Sequence, residues 1–184
     1  MTAPVLSQVR VAADPAAWRD AGFSVTSTSM SVDGVLIEFV QGDRGIIDWT
    51  LSDEGSDLPT AAHANGVTEI DHVVMLTPSL EQTIEELEDQ GIELRRIREG
   101  ETGMGTYRQA FFRVGRPILE VVEADGPARF WGITFTTADI DAAVTLLGDK
   151  LGRVKDAVQP GRRIATVRKE AGLGLPVALI SPKP

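Results

Sequence analysis

Residues Glu69–Ile97, EIDHVVMLTPSLEQTIEELEDQGIELRRI, followed by RPILEVVE at Arg116–Glu123, spell out one structural unit in order. Ile70–Leu76 is a run of mostly β-branched and apolar residues, which reads as a strand. Thr77-Pro78-Ser79 breaks it and opens a helix, with Ser79 and Gln82 at capping-box spacing. Leu80, Ile84 and Leu87 recur on one face of that helix, and Gly91 offers a left-handed stop. Strand parity then sorts the side chains. Val73 and Met75 share one face of the first strand, while His72, Val74 and Leu76 share the other. In the closing strand Leu119 and Val121 oppose Ile118, Glu120 and Val122. If the helix covers the wholly apolar side, His72 and Glu120 project together from the opposite face.

The same unit recurs twice. FWGITFTTADIDAAVTLLGDKLGRV from Phe130 to LPVALIS at Leu175–Ser181 repeats the order of strand, turn, helix and strands. Asp139 replaces Ser79 as the cap, Ile140, Val144 and Leu147 repeat the apolar spacing, and Gly132 and Ala178 stand where His72 and Glu120 stand. A shorter copy opens QVRVAADPAAWRDAGFSV at Gln8 and is expected to close with GIIDWTLS at Gly45–Ser52, which puts Asp48 in the place of Glu120. Its helix starts at Asp14-Pro15 and is cut short by Gly22. Units of about 45 to 55 residues are too small to bury a core alone and must pack on one another. The chain thus divides into an abbreviated N-terminal module with its connector (1–65), a central module (66–128) and a C-terminal module (129–184).

Composition narrows the chemistry. The 184 residues are 42% hydrophobic, enough for a sizeable core. With no cysteine, disulfides and thiolate ligands are excluded, which leaves His, Asp, Glu and Gln for any metal. A formal charge of -9 argues against nucleic acid and against anionic membranes. No apolar run approaches a membrane span and Met1–Gln8 does not read as a signal peptide, so the expected location is cytoplasmic. Arg95, Arg96, Arg98, Arg108, Arg113 and Arg116 cluster in the central module, where they either solvate strand ends or hold the carboxylate or phosphate of a ligand. His63, in AAHANG, reads as a solvated connector residue, and Trp18, Trp49 and Trp131 as core or pocket wall.

In the IDHVV opening, the QAFFRVG hairpin strand and the ILEVVE closing strand, the chain resembles the vicinal oxygen chelate superfamily of glyoxalases, bleomycin-resistance proteins and extradiol dioxygenases. The resemblance covers Glu69–Pro184 well and Met1–Asn65 weakly, through GVLIEFV and GIIDWTLS. It implies an α+β fold of βαβββ modules, with mixed sheets cupped around a pocket and helices outside. It also implies a small-molecule ligand and a divalent metal (Zn, Ni, Mn or Fe) held by first-strand and last-strand side chains. Carried over by position, His72 and Glu120 are the ligands, with Glu120 the candidate catalytic carboxylate. Gly132 and Ala178 cannot complete the set; Gln8 and Asp48 could, if the N-terminal module pairs with the central one. The candidate pocket is therefore His72, Glu120, Gln8, Asp48 and Arg108. Three readings stay open: a small-molecule binder with an incomplete or absent metal site, a metal-dependent lyase, isomerase or dioxygenase, and a non-catalytic interaction module. An odd number of modules further suggests a homodimer, or an N-terminal module packed on the central one.

Overall fold

The computed structural model describes residues 3–56, 58–102 and 105–184. The described residues form an α+β structure of two mixed sheets, three short α-helices and two 3-10 turns. The central module runs β5 (Val67–Thr77), α2 (Leu80–Asp89), β6 (Leu94–Thr102), β7 (Gly105–Arg113) and β8 (Ile118–Glu123). The C-terminal module runs β9 (Arg129–Thr137), α3 (Ile140–Leu147), β10 (Lys155–Asp156), β11 (Arg163–Thr166) and β12 (Val177–Ile180). In each the closing strand lies parallel to the opening one, β8 on β5 and β12 on β9. Antiparallel pairing of β5 with β9 fuses the two into one eight-stranded sheet, β10-β11-β12-β9-β5-β8-β7-β6.

The helices form where the caps predict. The Ser79 hydroxyl accepts from Gln82 N–H, and Asp139 accepts from the N–H groups of Asp141 and Ala142. Gln82 does not complete the capping box, because its amide turns instead to Glu86 at 2.8 Å. Gly91 ends α2 at φ +79°. Leu80 and Leu87 bury, and α3 buries Ile140, Ala143 and Leu147; Val144, expected on that face, is exposed because Ala143 meets the sheet in its place. Both helices cover the face that carries Val73, Leu119, Val121, Ile133 and Phe135, all of them buried.

The N-terminal module forms its own sheet, β2-β3-β1-β4, from β1 (Val5–Ala12), β2 (Ser29–Val32), β3 (Val35–Val40) and β4 (Gly45–Ser52), with α1 (Pro15–Asp20) capped by Asp14. GIIDWTLS does not close this module as its sequence suggests. The strand parallel to β1 is β3, and GIIDWTLS is β4, antiparallel on the other side of β1, the relation that β9 has to β5. Val9 pairs with Ile37 and Arg10 with Glu38, as Val73 pairs with Leu119 and Val74 with Glu120. Glu38, not Asp48, therefore occupies the position of Glu120.

The small sheet turns its apolar face to the convex, helix-bearing side of the large one. Trp18, fully buried, packs on Phe23, Phe39 and Phe135, and its indole N–H donates to the Leu173 carbonyl at 3.1 Å. Trp49 meets Phe130, with ring centroids 5.0 Å apart. His63 is buried too, contrary to its reading as a solvated connector. Its Nδ1 accepts from Ser24 N–H at 3.0 Å, its Nε2 lies 3.2 Å from the Ser31 carbonyl, and Phe23 stands edge-on against the ring. Trp131 is the tryptophan that stays at the surface, 47% exposed. With the N-terminal module packed inside the chain, the module count no longer demands a second chain. The edge strand β6 moreover carries Arg95, Arg96, Arg98, Glu99 and Glu101, charges that disfavour edge-to-edge pairing.

Candidate functional site on the concave face

β5 sets the site through an irregularity. Ile70 pairs with Phe135 and His72 with Thr134, so Asp71 is an extra residue without a partner on β9. Simple alternation would send Asp71 to the helix face, where a lone carboxylate has no solvation. The bulge turns it instead to the same face as His72, and such re-aiming is what bulges do beside functional sites. Arg95 sits at a second irregularity, between the Leu94–Phe112 and Arg96–Phe111 pairs.

The result is a chain of polar contacts across the concave face. Arg162, from the turn before β11, donates through Nη1 to Asp71 Oδ1 at 2.7 Å and through Nε to the Ser181 carbonyl at 2.7 Å; Nη1 also reaches Gln159. Its Nη2 lies 3.4 Å from Thr136 Oγ1. The other Asp71 oxygen lies 2.8 Å from His72 Nδ1. His72 Nε2 in turn lies 3.7 Å from Glu120 Oε2, and Gln109 donates to Glu120 Oε1 at 2.8 Å. Burial alone would raise the Asp71 carboxyl, but the hydrogen bonds from His72 and Arg162 outweigh it and hold the group below the usual carboxylate range. Glu120 goes the other way: burial pushes it up, only partly opposed by His72 and Arg98. The hydrogen bond to the Asp71 carboxylate fixes the ring by its Nδ1 side and leaves Nε2 directed at Glu120. Two carboxyls whose environments drive them apart flank one imidazole, which is the arrangement of an acid–base pair with a fixed ring.

Asp71, His72, Glu120 and Gln159 line a cavity of about 300 Å³ together with Arg95, Arg96, Arg113, Phe111 and Ile118. The Arg96 guanidinium stacks over Phe111 at 4.8 Å. Nine of the ten lining residues come from the central module, and Gln159 comes from the C-terminal one. Gly132 and Ala178 add no side-chain donor there. A Cβ on Gly132 would stand 2.6 Å from the Pro176 carbonyl, which explains the missing side chain.

The other candidate residues lie elsewhere. Gln8 donates to Glu38 at 2.9 Å, and Arg10 spans Glu38 at 3.3 Å and Asp48 at 3.0 Å, all on the face of the small sheet away from the apolar packing. The large sheet with its helices stands between that cluster and His72, so the four-residue set Gln8, Asp48, His72 and Glu120 is not brought together. Arg108 shares the helix face with Ala110 and Phe112, where Glu81, Glu99 and Glu123 surround it at 2.7, 2.9 and 3.4 Å and raise its pKa further. Gln109, one residue on, turns to the opposite face and reaches Glu120. Arg116 pairs with Asp33 of the N-terminal module at 3.0 Å. A divalent ion here would find His72 Nε2 and Glu120 and no third strong ligand, and among the described residues no three His, Asp or Glu side chains group as a metal site. Two donors do not fit an ion that takes three or four protein ligands.

No protein-family model matches the sequence, nor does any curated protein. Solved structures do match. Methylmalonyl-CoA epimerase from Mycobacterium tuberculosis superposes with a TM-score of 0.52 at 19% identity, over 65% of this chain and 91% of its own. The epimerase of Streptomyces coelicolor, in complex with 2-nitronate-propionyl-CoA, gives 0.50 at 23% identity, over 64% and 99%. The chain has the vicinal oxygen chelate fold. Hypothetical protein BH1468 from Bacillus halodurans C-125 shares it at 0.50 and 11% identity, over 63% and 95%. A match to nearly the whole of these neighbours but about two thirds of this chain fits the span of the eight-stranded sheet and its two helices. No described helix is long and apolar enough to cross a membrane.

Proposed function

We propose that the concave pocket binds a small organic acid and moves a proton at a carbon next to its carbonyl group, without a resident metal. One observation carries this reading: the Asp71–His72–Glu120 relay forms the polar end of a cavity that Arg95, Arg96 and Arg113 surround. The arginines supply charge-assisted hydrogen bonds to a carboxylate. His72 Nε2, its other nitrogen fixed by Asp71, takes the proton from carbon. Glu120, whose carboxyl burial raises above its usual range, gives a proton to the developing enolate oxygen, and reversal of the two transfers returns both groups to their starting states. The balance requires no oxidant and no co-reactant.

His72 and Glu120 reach the ligand from the same strand face. That suits enolisation and proton return on one side of the ligand, rather than inversion by two opposed bases. The neighbours named as epimerases are therefore an imperfect guide to chemistry, while their bound acyl-CoA ligands agree with a site for a small acyl group. The test is hydrogen exchange in D₂O followed by NMR with 2-oxobutyrate, acetoacetate and malonate half-thioesters. Enzyme-dependent loss of the α-proton signal that disappears in His72→Ala and Glu120→Gln supports the reading. Exchange at the background rate with every acid, or exchange unchanged in both variants, refutes it.

A further inference from the structure

A second cavity, of about 630 Å³, lies where the C-terminal module meets the N-terminal one and shares no residue with the His72 pocket. The geometry points to a separate binding site there for an aromatic carboxylate, with Trp131 as its stacking surface and Arg44, Arg168 and Lys169 as its anion clamp. Trp131 is placed by another bulge. Val74 pairs with Gly132 and Met75 with Phe130, which leaves Trp131 as the extra residue on β9, turned out to solvent and 47% exposed. Its ring presents an aromatic face to solvent at the cavity mouth, on which a planar ligand can stack. Arg129 approaches its ring at 5.9 Å, and Leu173, Leu175 and Pro176 continue the apolar wall.

The charge of the cavity is opposite to that of the chain. The sequence has 27 acidic and 18 basic residues, yet the lining holds Arg44, Arg168 and Lys169 and no Asp or Glu. Arg10, Arg108, Arg116, Arg162 and Arg163 each hold a carboxylate of the protein. Among the described residues the three cavity cations make no such pair. Three unneutralised cations beside an apolar wall select a ligand with a planar apolar body and one negative end. The wall is also fixed in place. The Leu173 carbonyl is tied to the buried Trp18, and Gly174, at φ +81°, presses so close to Ala13 that a Cβ would stand 2.9 Å from it. Arg44 comes from the turn before β4 and the other cations from the segment after β11, so an occupant bridges two modules.

The probe is 2-naphthoate, with 2-naphthamide as its neutral counterpart, titrated into the full-length protein by tryptophan fluorescence and calorimetry. Saturable quenching with a Kd below about 1 mM is expected, as a ligand of this size allows. The quench should vanish in Trp131→Leu. The amide should bind about tenfold more weakly, and Arg168→Glu should weaken the acid by about tenfold, since a cation is replaced by a like charge. Arg44→Glu, on the other module, carries the same expectation and serves if circular dichroism shows Arg168→Glu to be misfolded. His72→Ala should leave binding unchanged, which separates this site from the concave one. Absence of saturable binding, equal affinity for acid and amide, or loss of binding in His72→Ala overturns the assignment.

Discussion

Replacing Arg162 by Met tests the core of the site, because this guanidinium is the piece that makes a buried Asp71 tolerable. Their side chains are 1% and 4% exposed, and Arg162 binds Asp71 at 2.7 Å while also satisfying the Ser181 carbonyl, Thr136 and Gln159. Removing one partner of a buried pair costs roughly 3–5 kcal/mol, mainly because the remaining charge is stranded. Here His72 keeps its hydrogen bond to Asp71 and Met refills part of the volume, so the lower end, about 3 kcal/mol, is expected. For a chain of this length that is a fall in Tm of roughly 10 °C. The cost should depend on pH. In the native chain Asp71 lies below its reference value of 3.8, so its contribution is present above that value and is lost as acid titrates the folded group. Without Arg162 the buried carboxylate loses one of the contacts that hold its pKa down, so Arg162→Met should be most damaging near neutral pH and approach the native protein in acid, where protonation removes the stranded charge. Urea unfolding at several pH values, with Asp71→Asn and the double variant completing a cycle, measures this. A loss under about 1 kcal/mol at pH 7, or a coupling indistinguishable from zero, would show that the pair does not organise the site.

Glu120→Gln should stabilise the fold by a fraction of a kcal/mol at pH 8, an advantage that shrinks toward pH 4, because a carboxyl with a raised folded pKa loses stability as pH rises through it. His72→Ala should cost about 1 kcal/mol, against about 2–4 for Leu87→Ala in the core, and chemical denaturation that ranks the two equal would make the histidine structural. Zn²⁺, Ni²⁺, Mn²⁺ or Fe²⁺ in tenfold molar excess should move Tm by less than about 1 °C; a larger rise that disappears in His72→Ala would restore the metal reading. His63 is held below its reference value of 6.5 by burial, the Ser31 contact opposing, so stability should decline as pH falls below that value, and His63→Gln should flatten the slope in urea unfolding between pH 5 and 8. A chain beginning at Gly66 uncovers Phe135 and should aggregate or lose its cooperative transition, whereas a soluble, folded, monomeric product would contradict the packing of the N-terminal module.

Much of the fold was legible because it is local and repeated. The Ser79 and Asp139 caps, the Gly91 stop and the strict alternation at Val73, Leu119 and Val121 act within a few residues, and they place His72 and Glu120 on one face. The rest depended on pairing, which alternation cannot encode. Nothing in GIIDWTLS says that it lies antiparallel to β1 on the far side from β3, so Asp48 took a role that register gives to Glu38. A bulge is one residue of misalignment between distant strands, so Asp71 and Trp131 read as ordinary strand residues until β5 and β9 were set side by side. One signal was available: parity puts the Asp71 carboxylate on the apolar face, a conflict that only a bulge resolves. Arg162 gave none, since it meets Asp71 from 91 positions away. The sequence by itself determined the capped helices α2 and α3 and the faces of the strands beside them, because those follow from short-range sterics and the need to bury apolar surface. Tertiary structure alone decided which carboxylate orients His72, which arginines surround the pocket, and that Gln8 and Asp48 lie beyond the sheet from it, because those are contacts between segments whose separation along the chain carries no local trace.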